Sequence, residues 1–207
     1  MRWNLGVVDT VYSAEPSVRE RSVLAEMDGF DHIDVTIDVD PSALVLPVGC
    51  PVAYPFAVPR WSSTPAPDAA HVTWDETVER HRRASGALIE PWAGGTVHSV
   101  ETMRAFASAV PGVGFLVDTG HMVAMGEDPV EAVTFAAHIE LRDARVGEAQ
   151  VPPGEGDVDF TAVIRRLEEI DYRGRLSIEY FDLPTFGLAY DDPRAAAKEL
   201  AALLRSL

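Results

Sequence analysis

The amino-acid sequence predicts an α/β protein in which helices cover a parallel sheet. Two observations carry this. Through the second half, strand-like and helix-like segments alternate, as they do in chains built from βα units. The strand-like segments there are also nearly all apolar, as strands buried on both faces are. An open sheet and a closed barrel satisfy both observations equally.

Each element follows from its local pattern. "WNLGVVDTV" (Trp3 to Val11) mixes apolar and β-branched residues and reads as a strand. "SVRERSVLAEMDGF" sets Val18, Leu24 and Met27 among charged neighbours, a helix ending near Gly29. "HIDVTIDV" (His32 to Val39) alternates as a strand should. "SALVLPVG" offers a third strand, interrupted by Pro47. From Cys50 to Pro67 five prolines (Pro51, Pro55, Pro59, Pro65 and Pro67) predict a long loop, since proline lacks the donor a ladder needs. Tyr54, Phe56 and Trp61 on that loop suit either a pocket cover or a rigid surface patch.

"TWDETVERHRRASG" is a short helix with Thr73 as cap and Glu76 three residues on. "ALIEPWAGG" is a brief strand and turn, and "SVETMRAFASAV" a helix capped by Ser99 with Thr102 at its third position. "GVGFLVDTGH" is a strand. "DPVEAVTFAA" is a helix with Asp128 as cap and Pro129 first. "AHIELRDA" and "RLSIEYFD" are strands. They flank an amphipathic helix from Phe160 to about Ile170, and Asp192 caps the closing helix.

The chain has 207 residues, 47% of them hydrophobic, enough for one large domain with a substantial core. Its formal net charge of −16 repels phosphate backbones, so no nucleic-acid partner is expected. Part of the carboxylate excess could be neutralised by a bound cation. Cys50 is the single cysteine, so no internal disulfide can form, and a core or lining thiol is the expectation. No signal-peptide pattern and no apolar run of membrane-spanning length stand out. The expectation is therefore a cytoplasmic protein with no membrane partner.

The informative regularity is positional. Glu90 ends "ALIE", Asp118 ends "GFLVD", Glu140 lies within "AHIELRD", and Glu179 closes "RLSIE". Ligands of parallel α/β folds bind at the carboxyl ends of the strands. Converging carboxylates repel one another, and a divalent cation removes that conflict, with oxygen ligands suiting Mg2+ or Mn2+. Separately solvated acids, or acids paired with arginines, are the alternative. His121 follows Asp118 through Thr119-Gly120, which places an imidazole beside a carboxylate at a strand mouth. There it could bind a substrate hydroxyl, shuttle a proton, or simply pack. His138 shares a strand face with Glu140, which makes it a pocket candidate or a core histidine. Arg142 and Arg145 could bind an anionic group or pair with an acid. "VPPGEGDVDF" is a turn-rich loop but no P-loop, because no Gly-Lys-Ser/Thr follows.

Several of these segments together resemble the sugar phosphate isomerase/epimerase superfamily, whose xylose isomerase-like barrels include the AP endonuclease family 2 enzymes. They are "ALIEPW", "GFLVDTGHM", "AHIELRDA", "PPGEGDVDFTAVIRRLEEIDYRGRLSIEYF" and the terminal helix, and they span Ala87 to Leu207. The resemblance implies a single (β/α) TIM-type barrel domain over residues 1–207 with a divalent metal at its C-terminal mouth. It implies Glu90, Asp118 and Glu179 as metal ligands, His121 as a substrate contact, and Glu90 and Glu179 as an acid/base pair. Trp92 in "ALIEPW" joins His121, His138, Arg142 and Arg145 as a substrate-binding candidate.

Two departures stand out. The family's His-x-His-x-x-Asp reads His138-Ile-Glu140-Leu-Arg-Asp143 here, so a carboxylate stands where a histidine ligand is usual. Glu140 as fourth ligand would harden the site toward Mg2+ or Mn2+. The chain is also about forty residues shorter than a typical barrel, with the deficit before Glu90. The expectation is thus a barrel contracted or incomplete in its N-terminal half. An exposed flank of that kind favours a homo-oligomer or a partner subunit. The favoured activity is a metal-dependent isomerase or epimerase of a small sugar or polyol-like ketone, working through an enediolate. A lyase or dehydratase on the same scaffold and a non-catalytic binding or assembly subunit are the alternatives.

Overall fold

The computed structural model describes residues 3–35, 39–50, 73–83, 88–184 and 188–207. The aromatic residues of the Pro-rich loop, Tyr54, Phe56 and Trp61, lie outside them.

Among the described residues, six parallel strands form one sheet: β1 (Leu5–Val8), β2 (Ile33–Asp34), β3 (Leu88–Ile89), β4 (Gly114–Asp118), β5 (Ala136–Leu141) and β6 (Leu176–Ile178). Their order is β2-β1-β6-β5-β4-β3, so the first and last thirds of the chain meet where β1 pairs with β6. The sheet is curled. In a flat sheet β2 and β5, three steps apart, would be separated by about 14 Å. Here the His138 side chain on β5 lies 2.6 Å from the carboxylate of Asp34 on β2, across the interior. The curl is not closed among the described residues. The β2 edge continues only through a single parallel bridge from Ile33 to Val48, and β3 forms the other edge. The expected incomplete barrel is therefore found among the described residues, with its break between Val48 and β3.

Seven helices accompany the sheet among the described residues. They are α1 (Val18–Met27), α2 (Trp74–Arg83), α3 (Val100–Ala109), α4 (Thr119–Ala124), α5 (Pro129–Ala132), α6 (Phe160–Glu169) and α7 (Pro193–Ser206). Their starts are set locally. Ser99 and Thr102 close a reciprocal capping box on α3, and Thr73 and Glu76 do the same on α2. Asp159 and Asp192 accept from the first-turn amides of α6 and α7. In α6, Phe160, Val163, Ile164 and Leu167 recur at helical spacing and form its buried face. That face joins the shared core with Leu200 and Leu204 of α7 and with Val7, Val117, Ile139 and Ile178 of the sheet.

The structure corrects several boundaries. The first strand stops at Val8 and turns into a 3-10 helix over Asp9–Tyr12. "SALVLPVG" contributes a 3-10 turn and the Val48 bridge rather than a strand, because Pro41 and Pro47 cannot donate to a ladder. The strand ending at Asp118 does not run on through His121, since Thr119 begins α4. No helix among the described residues is long and apolar enough to cross a membrane.

Candidate active site

The strand ends deliver the acids. Glu90 directly follows β3, Asp118 is the last residue of β4, and Glu179 directly follows β6. Glu140 in β5 stands opposite Asp118 on one side and Ser177 on the other. Because the sheet curls, one oxygen from each of Glu90, Asp118, Glu140 and Glu179 lies within 4.8 Å of the others. All four are buried, the most exposed being Glu90 at 8%.

Asp118 does two jobs. Its Oδ1 caps α4, accepting from the amides of Gly120 (2.7 Å) and His121 (3.3 Å). Its Oδ2 faces the other acids. The cap turns the chain so that the His121 ring comes back over the site, with Nε2 3.5 Å from Glu90 Oε1 and 3.7 Å from Asp118 Oδ2. Glycine is needed in this turn because a Cβ at Gly120 would collide with the Ala149 carbonyl and the Arg142 side chain. Trp92 packs edge-on against the His121 ring, with centroids 5.9 Å apart.

Arg142, the residue directly after β5, enters the cluster two residues after Glu140. It is fully buried. Its Nη2 pairs with Asp118 Oδ2 and donates to His121 Nε2 (3.0 Å), while Nη1 lies 3.3 Å from Glu179 Oε2. The guanidinium stacks over Phe181, 5.1 Å from the ring centre.

The electrostatics divide the acids. Burial and the neighbouring Asp118 push the Glu90 carboxyl up to about 8. Burial, with Glu179 and Glu90 close by, drives Glu140 well above the carboxylate range. Burial acts on Asp118 as well, but Arg142 and His121 outweigh it and hold that carboxyl below its usual value. Burial lowers His121 to about 4, so the ring is neutral and its Nε2 accepts from Arg142. Glu140 Oε1 is buried with no hydrogen-bond partner. Four converging carboxylates, one of them with an unpartnered oxygen, fit a hard divalent cation by number and by chemistry.

Below Glu140, the same face of β5 carries His138, whose Nε2 bonds to Asp34. Asp34 Oδ1 accepts from the Cys50 amide at 2.6 Å. His32 lies in the same interior, between Asn4 Oδ1 (2.5 Å) and Ser177 Oγ (3.0 Å). Glycine at positions 6 and 49 leaves room for its ring, which a Cβ at either would overlap. Asp34, His138 and Glu140 make a second group able to chelate an ion, and Glu90, Asp118 and His121 a third. Sequence reasoning passed over Asp34 and His32. The signal was present in "HIDV", where two polar residues occupy the same face of an apolar strand.

Of the candidate residues, Glu90, Asp118, His121, Glu140, Arg142 and Glu179 are brought together, with Trp92 against His121 and His138 beneath. Arg145 is not. It is exposed, and its guanidinium binds the Glu155 carbonyl at 2.6 and 2.9 Å, pinning the glycine-rich loop.

Comparison with known proteins bears on the family and the fold. The xylose isomerase-like TIM barrel family matches residues 49–207. An inosose dehydratase from Clostridium tetani is 32% identical over 86 residues, covering 31% of this chain and 29% of that protein. The chain thus spans under a third of the length of the curated relatives it matches. Among solved structures, D-psicose 3-epimerase from Clostridium cellulolyticum superposes with a TM-score of 0.67 at 14% identity, covering 98% of both chains. The 3-keto-D-glucoside 4-epimerase from E. coli superposes at 0.63 and 15% identity over the whole of both.

Proposed function

We propose that this chain, which belongs to the xylose isomerase-like TIM barrel family, is a metal-dependent isomerase or epimerase of a small keto sugar or polyol-like ketone, built as one barrel domain over residues 1–207. The observation that carries the reading is the meeting of Glu90, Asp118, Glu140 and Glu179 within 4.8 Å, with Glu140 Oε1 buried and unpartnered. The names of the relatives and structural neighbours, epimerases and a dehydratase of keto sugars and inososes, support it.

These four carboxylates would hold Mn2+ or Mg2+, which when bound supplies Lewis-acid stabilisation of negative charge on a substrate oxygen. The rest of the work falls to side chains. Glu90 and Glu179 stand at the ends of different strands, β3 and β6, and so can address a substrate carbon from two directions. One takes the proton from the carbon between carbonyl and hydroxyl, and the other returns a proton to the opposite face. His121, neutral, positions a substrate oxygen, and Trp92 walls the space beside it. Arg142 completes the polar lining, and His138 supports Glu140 from below.

Solvent-deuterium incorporation into a panel of keto sugars and polyol-like ketones, followed by NMR and mass, tests this reading. The expected result is exchange at the carbon next to the carbonyl with product mass otherwise conserved. Exchange with loss of water would favour the second reading, a dehydratase, which the 32% identity to an inosose dehydratase supports. No exchange with any ketone, in the presence of Mn2+, would contradict both.

A further inference from the structure

The carboxylates proposed to hold the ion are already in contact with a cation of the chain's own. Asp118 Oδ1 is committed to the amides of Gly120 and His121, which leaves Oδ2 as the oxygen free to bind a metal. Arg142 Nη2 is on that oxygen, and Nη1 lies 3.3 Å from Glu179 Oε2. The guanidinium thus pairs with two of the four acids. It cannot discharge itself, because a guanidinium stays protonated in proteins. Its Nε and Nη1 have no hydrogen-bond acceptor, although both are buried. The arginine is held by charge rather than by a completed hydrogen-bond set.

We propose that Arg142 is an internal counter-ion that competes with the divalent metal for Asp118 and Glu179, so that metal loading and release of its guanidinium are one linked event. This rests on the reading that the four carboxylates are the metal ligands. Three consequences follow. The empty site is kept from collapsing under its own repulsion. Metal affinity is lower than four carboxylates would otherwise give. An oxygen-rich substrate that receives the released guanidinium strengthens metal binding, and metal strengthens substrate binding by the same factor.

The test is calorimetric titration of Mn2+ into the metal-free, full-length protein and its Arg142→Met and Arg142→Lys variants, with circular dichroism to check folding. Arg142→Met is expected to bind Mn2+ at least about tenfold more tightly than the wild type, at the same stoichiometry, since the metal no longer has to displace a bound cation. It is also expected to melt lower without metal and to gain more in Tm on adding it. Arg142→Lys keeps the charge but cannot bridge two carboxylates, and is expected to fall between the two. If the methionine variant does not fold, the lysine variant decides. Equal or weaker Mn2+ affinity in the folded variant, with the wild type binding normally, overturns the proposal alone. Failure of wild type and variants alike to bind Mn2+ at millimolar concentration overturns the metal-site reading, and this proposal with it.

Discussion

Glu140 of β5 stands directly opposite Asp118 of β4 in the parallel ladder, and both carboxylates are buried. Like charges paired across strands are unfavourable. Arg142 relieves only one of them. Asp118 stays ionised against the guanidinium, while Glu140, with an oxygen unpartnered, is pushed toward its neutral form.

Glu140→Gln should therefore split stability from metal binding. Without metal, removal of a buried and poorly satisfied acid raises stability by about 1–2 kcal/mol. Mn2+ affinity falls by at least about tenfold, because a neutral amide replaces an anionic ligand. Melting curves in chelator and Mn2+ titration check the two halves, and a folded variant that binds Mn2+ as tightly as the wild type would remove Glu140 from the ligand set.

Glu179→Gln should abolish turnover, by about three orders of magnitude or more, with the fold intact. The amide can neither take nor return a proton. Circular dichroism and the deuterium-exchange assay separate loss of chemistry from loss of structure. Retained exchange would remove Glu179 from the acid/base pair.

Asp34→Asn addresses the barrel interior. It leaves His138 facing an amide at the site of a 2.6 Å bond between two buried groups. Losing the charge on that acceptor costs about 1.5–3 kcal/mol, which urea denaturation would register. A loss under about 1 kcal/mol would mean that His138 finds another partner.

The same interior sets a pH dependence. Burial lowers His32 to about 4, against an ordinary value of 6.5. Between these limits the unfolded chain takes up a proton that the folded chain refuses, so stability rises with pH through this range. The contribution is complete above about pH 6.5 and lost as pH falls toward 4, amounting to about 3 kcal/mol. Urea midpoints in chelator from pH 7.5 to 5, with NMR of the His32 ring, check this. A ring that titrates at its ordinary value would contradict it.

How much of this was legible in the sequence follows from how local each signal is. The caps at Ser99, Asp128 and Asp192 were readable because the cap and the amides it serves are neighbours in the chain. The acids were readable because each closes or sits late in an apolar run, and runs of that kind end at one rim of a parallel sheet. The turn at Asp118 was misread, because a strand followed by Thr-Gly-His gives no helical period over so few residues. Arg142 could be named as a candidate but not placed. Its partners come from β4, α4 and the end of β6, and only the curl of the sheet brings them together. Asp34 was missed for the same reason, since its meaning lies in a histidine more than a hundred residues away. The shortened N-terminal half was anticipated from chain length, and the gap in the described sheet lies between Val48 and β3.

The most direct test of the account is Mn2+ binding to the metal-free wild type, compared with Glu90→Gln, Asp118→Asn, Glu140→Gln and Glu179→Gln in turn. If the four carboxylates share one ion, the wild type binds Mn2+ and every substitution weakens that binding while the chain stays folded. A wild type that binds no Mn2+ at millimolar concentration, or folded variants that all bind it as well as the wild type does, would contradict the account.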